Sequence, residues 1–492
     1  MHINDNDIPD DVLGVLQTLE KSRFQAYLVG GCVRDLLCGI TPNDWDIATD
    51  ATPDQIQKVF SDSVYENEFG TVLVKLRESK DADVERVVEV TTFRKETTYS
   101  DKRHPDQVMF SKDIEEDLAR RDFTINAIAL KHNGSEYEYV DPYQGEKDIT
   151  KKIIRAVGNP ESRFAEDALR MMRAVRFFAQ LDFEIEKNTY AAIKKHSGEL
   201  SNIASERIRD EFVKIIMTPN AARGVVMLYE LGLLEQFAKE IVEGVGVEQN
   251  LHHIYSVWEH CIRSLDYAAR HDYSLEVRLA ALLHDVGKPR SKQGEGKTAT
   301  FYNHEIIGAK MTRTFLTRLA FPKKTIATVT HLVRQHQFYY NIGEVSEAGV
   351  RRFVRRVGAE NIDDLIKVRE ADRIGSGVPK AVPYKLRHFL FMIEKVRHDP
   401  VSVKMLAING DSIMKLLSIK PSRKVGMILN ALMEEVLDDP SHNTKEYLER
   451  RAKELGAMSE KELEKKARKG KEKQESETHK EESKIKRKFH VQ

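Results

Sequence analysis

The sequence predicts an α+β amino-terminal unit followed by a succession of all-helical units. Over residues 1–150, β-branched runs such as TVLVKL from Thr71 and VERVVEVTTF from Val84 alternate with turn residues, after one early helical pattern. From 151 onward the apolar residues recur at helical spacing instead, as in DALRMMRAVRFFAQL and ERIRDEFVKIIM. No apolar run approaches the ~18 residues that a bilayer crossing needs, so no membrane is expected among the partners.

Taken in order, the first segment is 1–150 and the second, 151–245, should be all helix. The Gly-rich break VEGVGVEQN at 242–250 ends it, and a His-rich helical segment covers 246–375. Residues 376–455 read as helical again. Beyond 456 the chain is dense in Lys and Glu with almost nothing apolar to bury, which predicts a disordered tail or a solvated helix.

Lys plus Arg and Asp plus Glu each number 78, a formal charge of zero, so bulk charge neither supports nor excludes a nucleic-acid partner. The acidic start MHINDNDIPDDV lacks the basic and apolar regions of a secretory leader, so a cytoplasmic location is expected. Cys32, Cys38 and Cys261 are odd in number and lack CxxC spacing, which argues against a disulfide framework or a structural zinc site.

LVGGCVRD, residues 28–35, sets Gly30 and Gly31 between an apolar strand and a helical pattern, where backbone N–H groups can meet phosphate oxygens. In NDWDIATD, Asp44 and Asp46 alternate along an expected strand, so both carboxylates should share a face and call for a cation such as Mg²⁺. Glu89 is a single acid in the apolar strand VVEVTTF, open to reading as a third ligand or as an outward-facing residue. Asp167 and Arg170 are three apart in EDALRMMR, with Arg173 a turn further, which places them on one face of a helix.

GGxVRD followed by DxD, RRDFTINA (Arg120 to Ala127), DPYQGEKDI (Asp141 to Ile149) and RFAEDALRMMRAVRFF (Arg163 to Phe178) resembles the bacterial-type, class II tRNA nucleotidyltransferase and poly(A) polymerase family. The resemblance covers roughly the first 215 residues. It implies a nucleotidyltransferase head of the DNA polymerase β type, then a helical neck, body and tail. It further implies that Asp44 and Asp46 are catalytic and hold Mg²⁺, while Glu89 stands as the candidate third catalytic carboxylate on its strand position alone. Gly31 and Arg34 would contact the triphosphate, and Arg120 and Arg121 would support the nucleotide. Asp167 and Arg170 would read the base, accepting from the amino group of C or A and donating to the ring nitrogen, a pattern that U and G reverse. Arg173 and Arg176 extend this nucleotide-binding face, Arg176 toward phosphate or the neck. Ser205, in ASERIRDEF, fits a helix cap. The polar stretch Arg94 to Phe110 resembles the loop of enzymes that add complete CCA, so the expected partners are tRNA, CTP and ATP. Poly(A) or A-only addition is the alternative within the family.

RLAALLHDVGKP at 278–289 carries an HDxGK form and resembles the HD-superfamily phosphohydrolases. His260, His284, Asp285, His304, His336 and Asp372 follow in suitable order as metal ligands. Such a set suits Mn, Ni, Fe or Mg, and two ions with a bridging water would make a phosphohydrolase. His252, His253 and His331 are read as packed or solvated. A phosphohydrolase whose head merely binds nucleotide is the alternative from another class. The sequence leaves a homodimer open.

Overall fold

The computed structural model describes residues 3–463 other than 4, 66–69, 77–85, 97–107, 135, 251–253, 397–398, 401 and 461. The chain divides into two compact units, one of 1–243, 269–275 and 314–322, the other of 244–268, 276–313 and 323–492. Most of the 94–110 stretch, His252, His253 and the tail beyond 463 lie outside the described residues.

The first unit opens with α1 (Asp10–Lys21), β1 (Ala26–Val29), α2 (Gly31–Leu37), β2 (Asp46–Thr49), α3 (Pro53–Val59), β3 (Ser63–Tyr65) and β4 (Thr71–Leu76). Then come β5 (Arg86–Thr92), β6 (Arg94–Glu96), β7 (Val108–Phe110), α4 (Ile114–Ala119), β8 (Ala129–Asn133), β9 (Glu136–Val140) and α5 (Gly145–Thr150). Seven strands form one mixed sheet in the order β3-β4-β5-β2-β1-β8-β9. Only β2 and β5 pair in parallel; the other neighbours are antiparallel. All four residues of β1 are buried, which a strand at the middle of a covered sheet requires. β6 and β7 make a separate antiparallel ribbon at the two ends of the 94–110 stretch.

Helices α6 (Pro160–Glu166), α7 (Leu169–Leu181), α8 (Lys187–His196), α9 (Ser205–Ile216) and α10 (Ala221–Glu230) continue this unit, with single turns α11 (Leu234–Phe237) and α12 (Lys239–Val242). The expectation of helix alone over 151–245 needs correction, because β10 (Ile153–Ile154) and β11 (Glu184–Ile185) pair in parallel there. Two residues per strand are too few to leave a period-2 signal. Ser205 is the first residue of α9 and Ala204 holds the cap position without a side-chain bond, so the serine is no cap.

The second unit is helical and draws on α13 (Val257–Arg270), α14 (Leu275–Leu283), α15 (Lys288–Ser291), α16 (His304–Arg318), α17 (Lys323–Gln335), α18 (Glu347–Val357) and α19 (Ile362–Gly375). It closes with α20 (Tyr384–Lys395), α21 (Gly410–Leu417), α22 (Arg423–Asp438) and α23 (Lys445–Gly456). Ile413, Ile428, Leu432, Leu448 and Leu455 form the core of the last three helices. Leu463 joins that core at 1% exposure, so the charged tail starts after it and not at 456. Among the described residues no helix is long and apolar enough to cross a membrane.

Candidate active site and metal centre

The chain leaves β1 for α2 through Gly30, whose φ of +77° favours glycine. A Cβ there would meet Arg121 Nη1 at 2.7 Å and Asp46 Oδ2 at 3.4 Å. Gly30 thereby lets backbone, guanidinium and carboxylate converge where no side chain fits. Gly31 is already helical, and a Cβ on it would make only an ordinary 3.7 Å contact with Arg34 Nη2. The steric demand therefore sits at Gly30.

Asp46 opens β2, and its register partner on β5 is Glu89. Asp44 does not share the strand as expected: pairing with β1 begins at Ile47, opposite Leu28, and Asp44 lies in the bend before it. The alternation survives the correction, since Trp45 is buried between an exposed Asp44 and a half-buried Asp46. Burial pushes the Asp46 carboxyl above its ordinary value, Arg121 pulls it down and Asp44 pushes it up again. A half-buried carboxylate raised in this way beside a second carboxylate is short of positive charge, and a divalent cation fits that need.

The arginines are held by acids that the sequence reading passed over. Asp117, 1% exposed, accepts from Arg120 Nη2 at 2.8 Å and from Arg121 Nη2 at 3.1 Å. Arg34 Nη1 donates to Asn126 Oδ1 at 2.8 Å, and Asn126 Nδ2 donates to Asp122 Oδ1 at 3.0 Å. Asp122 Oδ2 receives Arg173 Nε at 2.6 Å. Although burial raises the Asp122 carboxyl, Arg173 and the Asn126 bond bring it down to about 2. Arg34, Arg173 and Arg176 lie 5.0, 5.6 and 4.6 Å from the Phe177 ring centroid. Arg176 pairs with Glu211 of α9 at 2.9 Å, while burial and the neighbouring Arg173 lower it to about 10.

Asp167 and Arg170 are not two positions on one helix. α6 stops at Glu166 and α7 starts at Leu169, with Asp167 between them at φ −144°. The Asp167 carboxylate accepts from Leu169 N at 3.0 Å and from Arg207 Nη2 at 2.7 Å. Arg170 bonds Glu166 and the carbonyls of Arg163 and Arg120. The acid ends one helix and caps the next because Asp accepts readily from free N–H groups in a first turn. Arg207 was legible as part of ERIRDEF but carried no sign of its partner.

In the second unit six expected ligands converge. Asp285 Oδ2 lies 3.2 Å from His260 Nε2 and 3.3 Å from His284 Nε2, and Asp372 Oδ1 lies 3.3 Å from His260 Nε2. Asp285 Oδ1 faces His304 Nε2 at 3.3 Å and His336 Nε2 at 3.7 Å. His260, His284 and Asp285 could hold one ion, and Asp285, His304 and His336 another. The Nδ1 atoms of His284, His304 and His336 meet the carbonyls of Ala281, Phe301 and Val333 at 2.7–2.9 Å, which leaves each Nε2 lone pair toward the centre. Asp285 Oδ1 is buried without a hydrogen-bond partner, an atom that a cation would satisfy. Burial lowers the His284 imidazole, but Asp285 and Asp372 raise it to about 10, a measure of the negative field. Lys288 Nζ contacts Asp285 Oδ2 at 2.6 Å, and Arg369 Nη1 contacts Asp372 Oδ2 at 2.6 Å; both cations were missed as neighbours of the centre. A Cβ on Gly287 would meet the His304 carbonyl at 2.1 Å, so glycine there lets the HDxGK turn touch α16. His331 Nε2 donates to the Val357 carbonyl at 2.7 Å and stays apart from the ligand set.

Family models match three stretches: a poly A polymerase head domain over 26–155, a probable RNA and SrmB-binding site of polymerase A over 182–243, and an HD domain over 257–376. The CCA-adding enzyme of Ligilactobacillus salivarius is 33% identical over 91% of this chain and 98% of its own length. The A-adding tRNA nucleotidyltransferase of Deinococcus radiodurans is 33% identical over 83% of this chain and 91% of its own. The crystal structure of the Bacillus stearothermophilus CCA-adding enzyme in complex with CTP superposes with a TM-score of 0.67 at 28% identity, covering 90% of this chain and 96% of that one. A head whose carboxylates stand in register on β2 and β5, followed by helices and an HD centre, accords with these likenesses, and the chain belongs to the family of CCA-adding tRNA nucleotidyltransferases.

Proposed function

We propose that this chain adds C, C and A to the 3′ ends of tRNA from CTP and ATP, in the cytoplasm, with Mg²⁺ held by Asp44 and Asp46. The observation that carries the reading is the Asp46 and Glu89 register pair beside Gly30 and Arg121, in a chain similar to a CCA-adding enzyme over nearly all of that enzyme's length. Bound Mg²⁺ supplies activation of the attacking hydroxyl and neutralisation of the leaving pyrophosphate. Glu89 supports Asp46 from the next strand. Arg34 and Arg121 orient the triphosphate above the Gly30 turn, Arg120 holds the Asp117 end of that cluster, and Gly31 offers its backbone N–H.

Asp167 presents an acceptor to the amino group of C or A, and Arg170 donates to the adjacent ring nitrogen, so no template strand is needed. Arg207, Arg173 and Arg176 keep this face in position through Asp167, Asp122 and Glu211. The test is incubation of tRNA lacking its 3′ CCA with labelled CTP, with ATP and with both, followed by sizing. Addition of three nucleotides supports the reading. A single A placed only on tRNA that already ends in CC would make this an A-adding enzyme like the Deinococcus relative.

A second reading concerns the HD centre and rests on the two oxygens of Asp285 facing two ligand groups. Divalent ions there would supply a metal-activated water for hydrolysis of a phosphate ester. Asp285, His260, His284, His304, His336 and Asp372 would hold these ions, and Lys288 and Arg369 fix the two carboxylates. Metal-dependent release of phosphate from model phosphoesters by the full-length protein is the measurement, and its absence with Mn²⁺, Ni²⁺, Fe²⁺ and Mg²⁺ alike would remove this activity.

A further inference from the structure

Helix α20 and the loop after His336 carry an exposed aromatic ledge that neither site above uses. Tyr384, His388 and Phe391 are spaced four and three apart, so they line one face of α20. Tyr384 is 64% and Phe391 62% exposed, and Tyr339 and Ile342 of the loop are 36% and 40% exposed. The opposite face of α20 is buried. There the Phe389 ring lies 4.4 Å from Tyr340, 5.0 Å from Phe353 and 5.4 Å from Phe338. Tyr340 stacks on His388 at 5.9 Å and 30°, and its hydroxyl bonds the His388 Nδ1. The outer rings therefore stand on a packed aromatic floor and form a fixed platform.

Cations interleave with these rings. The Arg387 guanidinium lies 5.9 Å from the Tyr384 centroid, and Lys385 Nζ is bonded to the neutral side-chain oxygen of Asn341 at 2.7 Å. Lys380 precedes the helix. Lys395, by contrast, is ion-paired with Glu347 and adds no charge to the ledge. A buried protein–protein patch is depleted of lysine at its centre, whereas rings interleaved with lysine and arginine match the stacked bases and flanking phosphates of RNA.

We propose that this ledge docks the tRNA substrate, laying unstacked bases on Tyr384, His388 and Phe391 while Lys380, Lys385 and Arg387 meet the neighbouring phosphates. The proposal rests on the reading of this chain as an enzyme of tRNA. It adds a binding surface in the second unit, made of residues other than the carboxylates and arginines assigned to the reaction.

The test uses the full-length protein and tRNA lacking its 3′ CCA, with binding followed by fluorescence anisotropy. Tyr384→Ser combined with Phe391→Ser should raise the Kd roughly tenfold to a hundredfold, the loss of one or two stacked bases. The KM for tRNA should rise in parallel, with kcat at saturating tRNA and the KM for CTP unchanged. Tyr384→Phe keeps the ring and should keep the affinity. Lys385→Gln with Arg387→Gln should flatten the dependence of log Kd on log salt by about two units of slope. Wild-type affinity in the folded double-serine variant overturns the proposal. So does a shift from dimer to monomer with tRNA binding intact, which would assign the ledge to a second copy of the chain. Should the wild-type protein bind tRNA through the ledge yet fail to extend it, the ledge stands and the reading as a CCA-adding enzyme falls.

Discussion

The Asp167 carboxylate is gripped by Arg207, which lies 40 residues further along the chain, through an ion pair of 2.7 Å. The proposed base-reading acid therefore takes its aim from α9. Asp167→Ala should lower discrimination of CTP over UTP by roughly tenfold to a hundredfold, the worth of one good hydrogen-bonded base contact. Arg207→Ala should lower it by about tenfold, and the double variant should be no worse than Asp167→Ala, because the two act as one unit. Competition assays with paired nucleotides measure this. Slower incorporation with an unchanged preference in both variants would reduce the pair to a clasp between helices.

The carboxylates on the sheet give a second expectation. Asp46→Ala should lower nucleotide incorporation by at least about a thousandfold, equivalent to about 4 kcal/mol of lost transition-state stabilisation, with tRNA binding intact. Glu89→Gln should lower kcat as well, since Glu89 is the register partner of Asp46. Single-turnover incorporation read beside tRNA affinity separates the two effects, and full activity in Asp46→Ala would end the assignment.

Acid should act through Asp122. Its carboxyl sits at about 2 in the fold against an ordinary 3.8, with burial opposing and Arg173 and Asn126 favouring the charged form. A lowered value stabilises the fold fully above 3.8, by about 2 kcal/mol, and that contribution disappears as pH falls toward 2. Asp122→Asn should thus be less stable than wild type at neutral pH, with a gap that narrows only below about pH 4. Urea titrations of both proteins across this range check it. A gap that widened in acid would contradict the sign.

Asp285→Asn should cut the metal content of the purified protein and abolish any phosphoester hydrolysis, because both candidate ligand groups share that residue. CCA addition should persist at near wild-type rate. Loss of addition in the folded variant would show that the two chemistries are tied together.

Truncation should reveal where the tail begins. Ending the chain after Leu463 should leave thermal stability unchanged, whereas ending it at Glu460 removes a side chain that is 1% exposed. Complete burial of a leucine is worth about 1.5–3 kcal/mol, so the shorter protein should melt lower by several degrees. Equal melting temperatures would place Leu463 outside the cooperative core.

Much of this was legible in the residues themselves. The change from period-2 runs to helical spacing near 150 separates sheet from helices, GG and DxD mark a turn and charges of the first unit, and HDxGK marks those of the second. What escaped was set by contacts distant in sequence. EDALRMMR keeps its apolar rhythm straight through the break at Asp167, since a capping acid and a helical acid look alike in a sequence. Asp117 and Asp122 read as ordinary charges until the fold sets three arginines against them. Leu463 is one apolar residue in a run of lysine and glutamate, too sparse a signal for periodicity to register.

The parallel pairing of β2 with β5 has a bearing on how such a head can vary over time. Asp46 and Glu89 stand opposite each other because of strand register, and a slip by one residue would turn Glu89 to the other side of the sheet. In the chain joining the two strands β3 and β4 are held in register too, and only the connections between elements, such as that from Leu76 of β4 to Arg86 of β5, are under no such constraint. Lengthening a connection there adds little closure entropy, about 0.6 kcal/mol for each doubling of a flexible loop. Insertions and deletions in the connection between Leu76 and Arg86 should therefore be inherited freely, while any single-residue indel within Asp46–Thr49 or Val87–Thr92 should be lethal to activity.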